Sequence, residues 1–459
     1  MNPEYRGQLQ ETRFLNEGKK YYVITLGCQM NEHDSEVISA ILENAGYSPV
    51  LTPEEADLII INTCAVRKKP EDKVASLLGK YAALKCDNKN LMIAVGGCMT
   101  QQADVARYIK ERFHHVNLVF GTHALPRLTQ LLEEAMRSRE TVIDIEEEYY
   151  SSRENLPIAH SKPFQAWLPV IYGCNNYCSY CVVPYVRGRE RSRSFDEIIA
   201  EARSLAEQGF VEITLLGQNV NSYGHDLPGN HTFADLLTKL NQVDGLKRIR
   251  FLTSHPKDLS SKLIETVRYG EKICEHFHLP VQSGSNRILQ KMNRRYSREH
   301  YLDLIKTIKS IIPGVAITSD IIVGFPGEEE KDFLETIDLL EHARFDNTFS
   351  FIFSPRNKTA AAALKNNLTH RVKEERLQRL NEIQHNISKA INCLLINQVV
   401  EVLVEGPSKS NPEVQTGRTR TNKLVHFKSS SILSGKLVPV KIIEPRTWNL
   451  VGKLEGEQS

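Results

Sequence analysis

The chain has 459 residues, more than one ordinary hydrophobic core accommodates, so two or three domains are expected. Its 41% hydrophobic and 25% charged residues suit a soluble globular protein. A polar N-terminus and the lack of any apolar run near the roughly 18–20 residues of a membrane span lead to the expectation of a cytoplasmic protein with no membrane association. The net charge of +2 is nearly neutral and says little about partners, so any nucleic-acid binding must come from local patches. Nine cysteines, an odd count, fit metal or redox chemistry better than a fully paired disulfide framework.

In chain order, residues 20–140 alternate short apolar runs with helical periods. "YYVITLG", "ADLIIINT", "LMIAVGG" and "LVFG" read as strands, and helices are predicted over 35–46, 72–84, 103–113 and 127–138. Such runs predict a parallel sheet buried on both faces, hence an N-terminal α/β domain. The acidic stretch "DIEEEYYSSRENLP" (144–157) reads as a linker. The alternation resumes from Ala166 to about Phe353, where six strand–helix units predict a partial (β/α) barrel within a second domain of residues 158–390. Residues 371–398 carry Leu377, Leu380, Ile383, Ile387, Ile391 and Leu394 at helical spacing and read as one long helix. Residues 393–456 form short strands between turns, a small all-β barrel, with nine Lys/Arg against five Asp/Glu over 397–456.

The chemistry centres on cysteine. "GCNNYCSYC" places Cys174, Cys178 and Cys181 just after the first barrel strand, at the end of the barrel where active sites are built. A structural zinc or a simple ferredoxin cluster takes four protein ligands; three thiolates hold three irons of a cubane and leave the fourth open to a small molecule. In the first domain Cys28, Cys64 and Cys98 each follow a predicted strand, so the carboxyl ends of one sheet would bring them to a common crevice as a second three-cysteine set. Gly27 and Gly97 precede two of them and permit close backbone approach. Small buried cysteines packing strand ends would be the ordinary alternative.

The CxxxCxxC loop resembles the radical S-adenosylmethionine superfamily, and the two cysteine sets together resemble its methylthiotransferase family. "GCQMNEHDSE", "NTCAVR", "YGCNNYCSYCVVPYVRGRERSR", "LLGQNVNSYG", "SHPKDLS", "HLPVQSGSNRIL" and "SDIIVGFPGE" carry that resemblance along nearly the whole chain. It implies two 4Fe-4S clusters, a radical cluster on Cys174, Cys178 and Cys181 with S-adenosyl-L-methionine at its open iron, and an auxiliary, sulfur-donating cluster on Cys28, Cys64 and Cys98. It further implies methylthiolation of C2 of N6-isopentenyladenosine next to the anticodon of tRNA. The C-terminal barrel resembles the family's RNA-binding TRAM domain. The expected partners are tRNA carrying isopentenyladenosine and an electron donor such as flavodoxin or ferredoxin, with the enzyme a monomer.

Supporting residues follow from position. Gly217, Gln218 and Asp320 are candidates for S-adenosylmethionine, since they lie at strand ends of the barrel. Arg187, Arg189, Arg191 and Arg193, beside the cluster loop, are candidates for RNA phosphates or a cosubstrate carboxylate, with a solvated turn as the plain alternative. Arg418, Arg420, Lys423 and Phe427 combine basic and stacking side chains suited to RNA. Cys86, in a polar loop, Cys274, and Cys393, on the long helix, read as structural or incidental. "SPRNKT" (354–359) departs from the family's more constrained "SPRPGT"-like turn. Two alternatives stay open: relatives acting on threonylcarbamoyladenosine in tRNA or on a ribosomal-protein aspartate share the six cysteines, and a non-catalytic iron–sulfur carrier with an RNA-binding tail would share the clusters.

Overall fold

The computed structural model describes residues 16–65, 68–146, 156–429 and 431–456. Most of the expected linker (147–155) and most of the polar N-terminus (1–15) lie outside the described residues. The chain forms two units, one of residues 1–161, 172–176 and 181–191, the other of 162–171, 177–180 and 192–459.

In the first unit the strands Lys20–Thr25, Ser48–Pro49, Leu58–Thr63, Met92–Gly97, Leu118–Phe120 and Val142–Asp144 make a six-stranded sheet. All of its pairings are parallel. The strands Leu58–Thr63 and Met92–Gly97 are buried along their full length because each sheet face is covered. Leu58, Ile60, Met92, Ala94 and Leu118 pack on one side with Val37, Ile38, Ile41 and Leu42, while Ile59, Ile61, Ile93 and Val95 pack on the other with Val74, Leu78 and Tyr81. The edge strand Val142–Asp144 corrects the expected linker, whose first residue belongs to the sheet. Asp144 is fixed there by a double hydrogen bond from Arg127 at 2.7 and 3.0 Å.

Two helices begin earlier than their apolar periodicity suggests. The first runs Gln29–Asn44, six residues ahead of the expected start, and the second Lys68–Asp87. The second takes in Cys86, which is exposed on a helix, not in a loop.

In the second unit the parallel strands Gln165–Pro169, Glu212–Leu216 and Arg248–Phe251 form one sheet and His276–His278, Ala316–Val323 and Asn347–Ile352 another. A parallel bridge between Ile249 and Ile273 links the two, which gives the partial (β/α) barrel. Alternate residues face outward into the helical layer, among them Leu168, Ile213, Leu215, Phe277, Ile317 and Ile321. The other set, Thr214, Arg250, His278, Thr318 and Asp320 among them, faces the opposite side. The helix Phe233–Leu240, closed by a Thr232/Asp235 capping box, adds an element the sequence reading lacks. The long helix ends at Cys393, short of 398, before Asn397 turns the chain with φ of +63°.

Five strands, Val399–Pro407, Val414–Thr419, Leu424–Lys428, Leu437–Pro445 and Leu450–Leu454, close into the small barrel. Val402, Val404, Val425, Phe427, Val440 and Ile442 fill it. Among the described residues no helix is long and apolar enough to cross a membrane.

Candidate metal centres

Cys28 caps the helix Gln29–Asn44, Cys64 follows the strand Leu58–Thr63, and Cys98 follows Met92–Gly97, so all three stand at carboxyl ends of one parallel sheet. The proximity of Cys64 lowers the pKa of Cys28, and the charge of Cys28 in turn raises that of Cys98. Gly27 is required at this crevice: a Cβ there would lie 2.6 Å from the Cys64 Cβ. Gly97 has φ of +103°, and a Cβ on it would meet the Thr63 carbonyl oxygen at 2.4 Å.

A ring of buried amides sets the geometry. Asn31 Nδ2 donates to the Thr63 carbonyl at 2.8 Å, Asn62 Nδ2 donates to the Asn31 carbonyl at 2.8 Å, and Thr63 Oγ1 donates to the Gly96 carbonyl at 2.6 Å. The Cys28 thiol donates to Asn31 Oδ1 at 3.3 Å. These bonds tie the first turn of the helix to two strand ends and satisfy the buried Asn31 there.

Arg187 supplies the charge. It is 4% exposed; its Nε donates to Cys98 Sγ at 3.1 Å and its Nη2 to Asp34 Oδ2 at 2.7 Å. Burial opposes its charge, but Asp34 and Cys98 outweigh burial and hold its pKa well above the ordinary value. The hydrogen bond from Cys64, joined by the field of Arg187, pulls Cys28 down to about 6, whereas burial pushes Cys98 up despite Arg187. The short helix Val183–Arg187 that carries this arginine is seated by Val182 and Val186 packing on Ala65 and Cys98, and by Thr122 Oγ1 donating to the Val186 carbonyl at 2.6 Å. Three sulfur donors, glycines where side chains would intrude and a buried cation fit an anionic iron–sulfur group.

The other three cysteines are held one by one. Cys174 is buried, its N–H donating to the Gly188 carbonyl at 3.2 Å, with Asn176 Nδ2 donating to its sulfur at 3.5 Å. Gly173, with φ of +72°, leaves no room for a Cβ, which would lie 2.0 Å from the Arg189 carbonyl oxygen. Cys178 is buried and accepts from Arg294 Nη1 at 3.3 Å. Arg294 is itself pinned by the Pro280 carbonyl at 2.6 Å and the Tyr296 hydroxyl at 2.7 Å. Cys181 is partly exposed. Around Cys178 the loop is anchored by Ser179, whose N–H and Oγ donate to the Met292 and Lys291 carbonyls at 3.0 and 2.8 Å.

Of the candidates for the cosubstrate, Gln218 has a buried Oε1 without a partner, a polar atom that suits an incoming donor. Gly217 answers to packing: a Cβ would lie 2.3 Å from Ile171 Cγ2. Asp320 shares its strand face with Thr318, and its carboxylate is 3.5 Å from His278 Nε2. His278 Nδ1 in turn meets Thr318 Oγ1 at 3.0 Å.

The arginine run after the cluster loop divides. Arg187 belongs to the cysteine crevice and is closed to RNA. Arg193 is buried on Glu201 at 2.6 Å and the Pro169 carbonyl at 2.9 Å, so it too is structural. Arg191 lies over the Tyr172 ring, and Arg189 is exposed. The set in the small barrel is also reassigned. Phe427 is 1% exposed in the barrel core and has no face free for a base. Arg420 donates to Glu275 at 2.6 and 2.9 Å and to the Ile273 carbonyl at 2.7 Å; Lys423 donates to Asp346 at 2.5 Å. From the opposite direction Arg248 donates to the Arg418 carbonyl at 2.7 Å and Arg250 to the Thr419 carbonyl at 2.7 Å. The hairpin 418–423 is therefore a clasp on the larger barrel. Arg418 pairs with Glu405 at 3.3 Å and stays partly exposed.

Residues 168–340 match the model of the radical SAM superfamily, 20–121 that of uncharacterized protein family UPF0004, and 394–454 that of the TRAM domain. The chain is 52% identical over 97% of its length, and 95% of the relative's, to tRNA-2-methylthio-N(6)-dimethylallyladenosine synthase of Thermoanaerobacter pseudethanolicus. It is 50% identical to the protein of that name from Natranaerobius thermophilus, over 96% of this chain and 98% of that one. The chain belongs to the tRNA-2-methylthio-N(6)-dimethylallyladenosine synthase family. Among solved structures, the radical S-adenosylmethionine methyltransferase TsrM of Kitasatospora setae, with cobalamin and a [4Fe-4S] cluster bound, is similar at a TM-score of 0.53 and 12% identity, covering 75% of this chain and 77% of that one. The cobalamin-dependent S-adenosylmethionine radical enzyme OxsB is similar at 0.51 and 14%, covering 80% and 57%. At these identities the likeness is one of fold.

Proposed function

We infer that this chain is a radical S-adenosylmethionine methylthiotransferase that converts N6-isopentenyladenosine beside the anticodon of tRNA to its 2-methylthio derivative, in the cytoplasm. The observation that carries the reading is the crevice of Cys28, Cys64 and Cys98 under Arg187, in a chain about half identical to synthases of that name over its full length. Cys174, Cys178 and Cys181 would hold one 4Fe-4S cluster and Cys28, Cys64 and Cys98 the other. When bound, the first with S-adenosylmethionine supplies a 5′-deoxyadenosyl radical for removal of the C2 hydrogen, and the second supplies the sulfur that becomes the methylthio group.

The chain's own residues bind, orient and exclude water. Arg294 and Asn176 each donate to a cluster-loop sulfur and so fix its direction and offset its negative charge. Gln218 Oε1 offers an acceptor to the ammonium group of the cosubstrate. His278 and Asp320 stand on the unpacked face of their strands, where they are available to polar groups of the substrate. With Phe427, Arg420 and Lys423 engaged elsewhere, the RNA-facing surface of the small barrel falls to Lys428, Lys453 and Lys441. These three lie in register on adjacent strands and are all exposed. Like charges directly abreast cost stability in a sheet, and a row of phosphates relieves that cost. An electron donor of the flavodoxin or ferredoxin kind and a monomeric enzyme complete the reading.

The test is anaerobic reconstitution with iron, sulfide, reductant, S-adenosylmethionine and tRNA carrying isopentenyladenosine, followed by mass spectrometry of the digested nucleosides. A methylthio-isopentenyladenosine peak is expected. 5′-Deoxyadenosine without that peak would move the substrate to threonylcarbamoyl-tRNA or a ribosomal protein, and neither product would remove the enzymatic reading.

A further inference from the structure

Arg187 is the one charged side chain that touches a cysteine of the auxiliary set among the described hydrogen bonds, and its surroundings are unusual for an arginine in an arginine-rich run. Its Nε donates to Cys98 Sγ at 3.1 Å. Its Nη2 is locked on Asp34 at 2.7 Å, and Asp34 is itself buried at 2% exposure. Its Nη1 is buried and has no acceptor. A guanidinium presents five donors in a rigid fork, and leaving one buried and unpaired costs free energy unless an anion completes it. The helix Val183–Arg187 that delivers it is too short to persist alone and is held by Val186 and by the Thr122 hydroxyl. The fold therefore spends a seated element on presenting one cation to one cysteine.

We propose that Arg187 is a positioning residue of the sulfur-donating site: it fixes the Cys98 ligand, raises the reduction potential of the cluster held there, and keeps one N–H for an anionic sulfur ligand. This rests on the reading of Cys28, Cys64 and Cys98 as cluster ligands. The physical reason is charge. Reduction adds one negative charge to a cluster with three thiolate ligands, and a fixed cation hydrogen-bonded to one of those sulfurs stabilises the reduced form more than the oxidised. In a buried, low-dielectric site that preference is weakly screened. Asp34 orients the guanidinium through its bond to Nη2, and its own negative charge offsets part of the cation's effect.

The experiment uses the full chain with Cys174, Cys178 and Cys181 replaced by Ala, so that only the auxiliary cluster forms. After anaerobic reconstitution, iron content and an EPR-monitored redox titration are compared with those of the same protein carrying Arg187→Gln, Arg187→Lys or Asp34→Asn. Arg187→Gln is expected to lower the reduction equilibrium constant at least tenfold, about 59 mV to more negative potential for a one-electron couple. Arg187→Lys, which retains charge without the fork, should fall between, and Asp34→Asn should shift less than Arg187→Gln. An unchanged potential in a fully loaded Arg187→Gln protein overturns the proposal. Loss of iron from Arg187→Lys as well as Arg187→Gln also overturns it, because Arg187 would then hold the site together rather than tune it. If the parent protein binds no cluster at all, the reading of the cysteines fails, and that result is distinct from a loaded cluster with an unmoved potential.

Discussion

Buried histidines held away from carboxylates are liabilities below neutral pH. His255 lies 6% exposed with its ring near Tyr296, and burial, then the charges of Arg294 and Lys257, drive its pKa down to about 2. His276 is likewise held well below the ordinary value by burial, His278 and Arg250, and its Nε2 meets Thr318 Oγ1 at 3.0 Å. Both rings are neutral in the folded chain. Above the unfolded value of 6.5 neither affects stability. Below it the unfolded chain takes up protons that the folded chain refuses, so stability falls by about 1.4 kcal/mol per pH unit for each ring. Denaturant unfolding of the iron-free full chain at pH 7.5 and 5.5 should therefore show a loss that His276→Gln reduces by about 1.4 kcal/mol. Equal losses in the two proteins would mean that His276 is protonated inside the fold. At this scale the sequence was most legible in its cysteines, because spacing and strand position are local properties. It was least legible in Arg187 and Arg294, whose meaning depends on sulfurs 89 and 116 residues away. A charge run in a sequence does not reveal which of its members the fold will bury.

Elements were legible where apolar period alone decides them. The strands of the parallel sheet and the alternation of the larger barrel follow from runs such as "LIIINT", buried at every position. The helix Gln29–Asn44 was legible only from Ser35 onward, since its first turn and a half carries Asn31, Glu32, His33 and Asp34, polar residues without an apolar period. Asn31 is satisfied by Asn62 and Thr63, and Asp34 by Arg187, partnerships no local window contains. The strand–turn–strand Val414–Lys428 shows the same limit. Its basic turn suits RNA by composition, yet its backbone carbonyls are claimed by Arg248 and Arg250. Arg248 has no side-chain exposure and also donates to the Glu401 carbonyl at 2.9 Å. Arg248→Ala should strand these carbonyl acceptors and cost about 1–3 kcal/mol for each that stays buried, while the half-exposed Glu401 carboxylate returns to water. Arg420→Ala, at a pair about one-quarter exposed, should cost about 1.5–3 kcal/mol. Chemical denaturation would measure both, and limited proteolysis should release the small barrel of the Arg248→Ala protein first. An Arg248→Ala protein as stable as the parent would show that the hairpin is not a clasp.

At the scale of the whole molecule, a net charge of +2 gives tRNA no general reason to approach, so affinity has to rest on places where positive charge is concentrated and exposed. The ion pairs of Arg187, Arg193, Arg420 and Lys423 remove those residues from consideration. What remains in the small barrel is the register of its strands. Lys428 is the neighbour of Lys453, and Lys453 of Lys441, across three consecutive strands, which aligns three exposed ammonium groups in one row. Strand spacing of roughly 4.8 Å puts the outer two about 10 Å apart, close enough for one segment of RNA backbone to meet all three. Each phosphate neutralised releases condensed counterions, so the slope of log affinity against log salt counts such contacts at about 0.7–0.9 each. Replacing Lys428, Lys441 and Lys453 with Ala should reduce that slope by about 2–3 and weaken tRNA binding most at low salt. Arg420→Ala should leave the slope nearly unchanged, since its charge is spent on Glu275. The two variants thus separate a surface that would meet the RNA backbone from one that holds the protein together. A slope that falls with Arg420→Ala and stays constant without the three lysines would return the RNA contact to the clasp.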